Sequence, residues 1–161
     1  MERGKRKREL QSRWDGHKLD AYANYIGRVR ASIHASVLLY EVRKEMRTAT
    51  RSERELADDL TQMGVEQALA FERVMLLAHD GVIDTAHSVQ KATAVIEWHA
   101  RGIQQCTLPE WRALHVKAFE VINRFHERAR VDLGVSGRFE GREHSGRGLL
   151  LPNTRVDDSA S

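Results

Sequence analysis

Proline is nearly missing from this chain: Pro109 and Pro152 are the only two in 161 residues. A proline inside a helix removes a backbone hydrogen bond and collides with the preceding turn, so a chain this poor in it can run long helices without interruption. Cysteine is scarcer still. Cys106 stands alone, which excludes an intramolecular disulfide and any zinc box built on several cysteines, and suits a reducing, cytoplasmic setting. Long apolar runs are absent too. The longest charge-free stretch that leans apolar, Ala31 to Tyr40, is ten residues and contains His34 and two serines, half of the roughly 20 that span a bilayer. No hydrophobic stretch or small-residue cleavage site follows the charged N-terminus, so no secretory signal is expected.

What remains is ordinary for a helix-rich globular protein: 41% apolar and 30% charged residues, with 6% aromatic. The net charge of +3 is small, but its placement is not even. Residues 1–13 carry Arg3, Lys5, Arg6, Lys7, Arg8 and Arg13 against Glu2 and Glu9, a local +4, which leaves −1 for all the rest. The basic excess therefore sits in one terminal arm.

Apolar residues recur at alternating steps of three and four in four stretches, the spacing of a helix packed along one face. The first helix is predicted from about residue 5 to residue 47, with a seam of Leu19, Tyr22, Ile26, Val29, Ile33, Ser36 and Tyr40. At 1.5 Å per residue it would reach roughly 60 Å, longer than the others, so its first turns should project beyond the bundle or fray. Ser52 and Glu55 form a capping box that opens a second helix through Leu56, Leu60, Met63, Gln67, Ala70, Val74 and Leu77. This helix stops at His79-Asp80-Gly81, where Asp80 is the expected cap of the third. The third reads Val82, Ala86, Val89, Thr93, Ile96, Ala100 and Ile103. Its alternate small residues predict close approach of a neighbouring backbone. Arg101-Gly102 is a stop, and Thr107-Leu108-Pro109-Glu110 is a second capping box with proline in the first turn. The fourth helix follows with Trp111, Leu114, Ala118, Val121, Ile122, Phe125 and Ala129, and ends at Leu133-Gly134. The expected fold is all-α: an up-down-up-down antiparallel four-helix bundle over 14–134, with an extended first helix, a basic arm at 1–13 and a disordered tail at 135–161.

Residues Trp14-Asp15-Gly16-His17-Lys18-Leu19-Asp20-Ala21-Tyr22-Ala23-Asn24-Tyr25 resemble a W-D-x-x-basic-L-x-A-Y-A-x-Y run that opens a long helix in uncharacterised bacterial helical-bundle proteins. Phe71-Glu72-Arg73-Val74, Ile96 to Gly102 and Asp132 to Val135 are similar to later pieces of the same proteins. The resemblance implies a helical bundle over roughly residues 12–135 and no known activity. In many such proteins the bundle follows a membrane-spanning segment, where this chain has its basic arm.

The chemistry-bearing residues do not form a recognisable site. Eight histidines invite comparison with di-metal bundles, but no Glu precedes any His by three residues, and His115 and His126 stand about three turns apart. Cys106 has no histidine at fixed sequence spacing, only His99 and His115 in neighbouring elements. Gly134, Gly137, Gly141, Gly146 and Gly148 lack the spacing and the preceding strand of a phosphate loop. Ser36 and Gln67 are polar entries in otherwise apolar seams, fit for fixing register or for lining a small pocket. Trp98, Trp111 and the tyrosines have core or rim spacing. No cofactor, metal or small-molecule substrate is expected. The leading expectation is a non-enzymatic interaction protein that associates with itself or another protein through an exposed strip of Trp14, Leu19 and Tyr22. The alternative is an accessory binder of nucleic acid or anionic membrane surface through Arg3, Lys5, Arg6, Lys7, Arg8 and Arg13.

Overall fold

A computed structural model describes residues 2–135, and the expected tail from residue 136 onward lies outside them. Four helices occupy the described residues: α1 (Glu2–Arg43), α2 (Glu53–Leu77), α3 (Asp80–Ala100) and α4 (Leu108–Asp132). Their directions alternate. Lys18 of α1 meets Asp132 of α4 at one end, while Tyr40 of α1 stacks on Trp111 at the other, so α1 and α4 are antiparallel. Arg28 of α1 pairs with Glu66 of α2, and Phe71 of α2 meets His87 of α3.

The seams enclose one main core. Val29, Val74, Val89, Ile96, Ile122 and Phe125 are sealed from solvent, and Phe125 lies between the rings of Tyr22 and Tyr25, at centroid distances of 5.8 and 5.6 Å. A smaller cluster of Leu39, Leu56 and Leu60 joins the end of α1 to the start of α2. The small-residue edge of α3 does face a close neighbour. The Tyr25 hydroxyl oxygen lies 3.3 Å from the Ala86 carbonyl, and Arg43 Nη1 donates to the Ala100 carbonyl at 3.0 Å, both from α1.

Both capping boxes form as the sequence predicts, on Ser52/Glu55 and on Thr107/Glu110. Three boundaries differ from expectation. Asp80 is not a cap: the N-cap of α3 is His79, whose Nδ1 accepts from the Gly81 N–H at 3.4 Å, and Asp80 instead places its carboxylate in the positive first turn. α1 ends at Arg43 rather than at 47, because Glu45 adopts φ 57° and lets Met46 N–H return to the Glu41 carbonyl. Ile103 lies beyond the α3 stop and is exposed, since Gly102 at φ 76° has already turned the chain. At the other end α1 is continuous from Glu2, so the basic arm is helix. No side chain of α1 before Ala21 is buried.

Candidate functional site

The unusual end of the molecule is the one from which α1 projects. On residues 2–13 every side chain is exposed, including Arg3, Lys5, Arg6, Lys7, Arg8 and Arg13. Helical geometry fixes their order around the axis. Arg3, Lys7, Leu10 and Trp14 are separated by four, three and four residues, which puts them on one face. Leu10 and Trp14 are more than half exposed. They form one wall of a groove of about 450 Å³ whose other wall is Arg73, Leu76 and Leu77 of α2, and His17 completes it.

The strip expected from sequence is divided. Leu19 is exposed, but it borders a second groove of about 370 Å³ between α1 and α4, lined by Ala23, Ile26, Ala129 and Leu133. Trp14 and Leu19 therefore belong to different sides of α1. Tyr22 is not on the surface at all. It is 3% exposed, packed edge-on against Phe125, with its hydroxyl donating to Asp132. The same carboxylate accepts from Lys18 Nζ at 3.1 Å. Burial, then the Asp132 contact, raises the Tyr22 pKa, so the phenol stays protonated and acts as donor. These contacts tie the last turn of α4 to α1 where the overhang begins.

Of the wall supplied by α2, sequence reasoning found Leu77 and missed Leu76. The seam of α2 accounts for Leu56, Leu60, Ala70 and Val74, yet Val65, Leu69 and Leu76 are also apolar and point outward. The signal was present as a second apolar stripe outside the buried one.

The polar seam residues converge. Ser36, Gln67 and Thr93 line a cavity of about 110 Å³ with Ser32 and Gln90. Gln67 Nε2 donates to Gln90 Oε1 at 2.6 Å and to Thr93 Oγ1 at 3.2 Å, and Tyr25 donates to the same Gln90 oxygen at 2.7 Å. Ser32 Oγ is buried without a protein partner among the described residues. The network bonds α1, α2 and α3 at one level, and the space beside it has room for roughly four waters.

No hydrogen bond joins His115 to Cys106 among the described residues. His115 is buried against the Trp111 edge, 4.5 Å between centroids, and neither ring nitrogen has a partner among the described residues. Burial lowers its pKa to about 4, so the ring is neutral near pH 7. Burial and the nearby Glu110 carboxylate raise the Cys106 thiol, the opposite direction from an activated thiolate. Among the described residues no three His, Cys, Asp or Glu side chains are grouped to hold a metal ion, and no helix is long and apolar enough to cross a membrane. Compared with family models, curated proteins and solved structures, the chain matches none.

Proposed function

We propose that this chain is a non-enzymatic helical interaction protein of the cytoplasm that associates with itself through the end from which α1 projects. The observation that supports this reading is the overhang: α1 continues for about five turns without one buried side chain, yet carries Leu10, Trp14 and Leu19. A solvated spacer has no use for these residues. Their exposure is removed when a second surface covers them, and a copy of the same chain supplies one at equal concentration. Light scattering at tens of micromolar should give a dimer or larger species for the full chain. Replacing Leu10 and Trp14 together by aspartate should shift it to monomer with unchanged helix content. A strict monomer in the unaltered chain would remove the reading.

A second reading has its own support. The six basic side chains of the arm are all exposed on a helix projecting from a remainder of net −1, an arrangement suited to phosphates of nucleic acid or anionic lipid. Binding of generic duplex DNA or of phosphatidylserine vesicles should be measurable at 50 mM salt, fall steeply as salt rises, and vanish on deleting residues 1–13. Equal retention of both forms would leave the arm with no polyanion role.

A further inference from the structure

The hydrogen-bond network between α1, α2 and α3 has a fixed polarity. The Thr93 hydroxyl gives its one hydrogen to the Val89 carbonyl at 2.8 Å. Toward Gln67 its oxygen can then only accept, so the Gln67 atom facing it is the amide nitrogen. The other hydrogen of that nitrogen goes to Gln90, which fixes the Gln90 atom there as oxygen, and the Tyr25 hydroxyl occupies the remaining acceptor position on it. Two amide halves are left over. Gln67 Oε1 can only accept and Gln90 Nε2 can only donate. Both residues line the cavity of about 110 Å³, and so do Ser32 and Ser36, with Ser32 Oγ lacking a protein partner among the described residues. Ser32, Ser36, Gln67 and Thr93 are at most 7% exposed, so the groups belong to a polar interior rather than to a surface dimple. Entry is open between α2 and α3, where half-buried Gly64 and Ala94 carry no more than a methyl group.

We propose that this cavity is a binding site for a small uncharged carboxamide. One such molecule supplies what the network lacks: its N–H donates to Gln67 Oε1, its carbonyl oxygen accepts from Gln90 Nε2, and the Ser32 hydroxyl bonds to either group. Its size fits, since space for roughly four waters takes about four heavy atoms. Ions fit worse. An anion has no use for Gln67 Oε1, and a cation has none for Gln90 Nε2. Nor is there a charge to balance either one: among the described residues that line the cavity only Glu97 is charged, and Arg101 Nε already donates to its carboxylate at 2.9 Å. The site belongs to the bundle and is independent of the overhang and of self-association.

Acetamide is the probe, titrated into the full chain and followed through the side-chain amide NMR signals of Gln67 and Gln90. Four heavy atoms limit the affinity to roughly 40 µM at the ceiling for tiny ligands, and saturation in the low millimolar range is expected. Acetate and acetamidinium have the same shape with a charge of either sign, and each should bind about tenfold more weakly or worse. Ser32→Ala removes one hydroxyl and should weaken acetamide about three- to tenfold. Gly64→Leu should abolish saturable binding by filling the space; a Cβ at Gly64 meets no atom within 4 Å, so the helix can accept it, and an unchanged circular dichroism spectrum checks that it does. Shifts that rise linearly to the end of the titration, or an affinity that either variant leaves unchanged, overturn the proposal: the cavity then holds water alone. Acetate or acetamidinium binding as well as acetamide overturns the ligand class.

Discussion

Glu45 is a residue in the wrong conformation for its type. It holds φ 57° at the turn after α1, where its N–H reaches the Val42 carbonyl at 3.1 Å and Met46 reaches Glu41 at 2.8 Å. The same two-bond closure recurs after α3 and α4, but on Gly102 and Gly134. A side chain in this region costs about 1 kcal/mol, so Glu45→Gly should stabilise the protein by ~0.5–1 kcal/mol in urea unfolding. Destabilisation would show that the Glu45 side chain contributes something to the folded state. His115 is the other misfit. Its ring takes a proton near pH 6.5 when unfolded and only near about 4 when folded, because burial opposes the charge. The folded-state pKa is the lower, so stability is intact above pH 6.5. It is lost as pH falls from there towards 4, by up to ~1.4 kcal/mol per pH unit. His126, lowered by burial and then by Arg30, acts in the same sense. His115→Leu should flatten this acid limb and gain about 1–2 kcal/mol at pH 5, where unfolding midpoints of the two proteins are to be compared. An unchanged pH profile would refute the assignment.

At the level of elements, the close of α3 depends on α1. A Cβ on Gly102 would collide with the Arg43 guanidinium. Arg43 cannot withdraw without losing its bonds to the Ala100 carbonyl and to Glu53. Gly102→Ala should therefore cost about 1–3 kcal/mol, more than positive φ alone demands, and Arg43→Ala in the same chain should recover part of it in a double-mutant cycle. Additive losses would mean that the two residues act separately. The ends of elements also explain what the sequence revealed. Ser52/Glu55, Thr107/Glu110 and both glycine stops were legible because each uses the residue type that its geometry favours. The end of α1 was not, because Glu45 occupies a glycine conformation, and the start of α3 was misplaced by one residue because His79 caps with a ring nitrogen.

For the whole molecule, the four seams predict the bundle and its alternating directions, since a helix buries whichever face repeats at three and four. They say less about the surface. Tyr22 and Leu19 belong to one seam, but only Tyr22 is covered by α4, whose last turn reaches Asp132 beside it. The α2 stripe escaped notice because a buried seam on the same helix already explained its periodicity. Ser36 and Gln67 stood out individually; that they meet Thr93 across one cavity depended on the relative heights of three helices, which no local pattern encodes.

The unbroken helix linking overhang to bundle also sets a mechanical phase. α1 has no loop between Glu2 and Arg43, so any residue inserted near position 17 turns the tip by about 100° while moving it only 1.5 Å. One added residue would swing Trp14 away from Leu76, and seven would return it to nearly the original azimuth about 10 Å further out. The projecting segment behaves as a keyed shaft: its length can change in whole heptads, but its angle cannot drift.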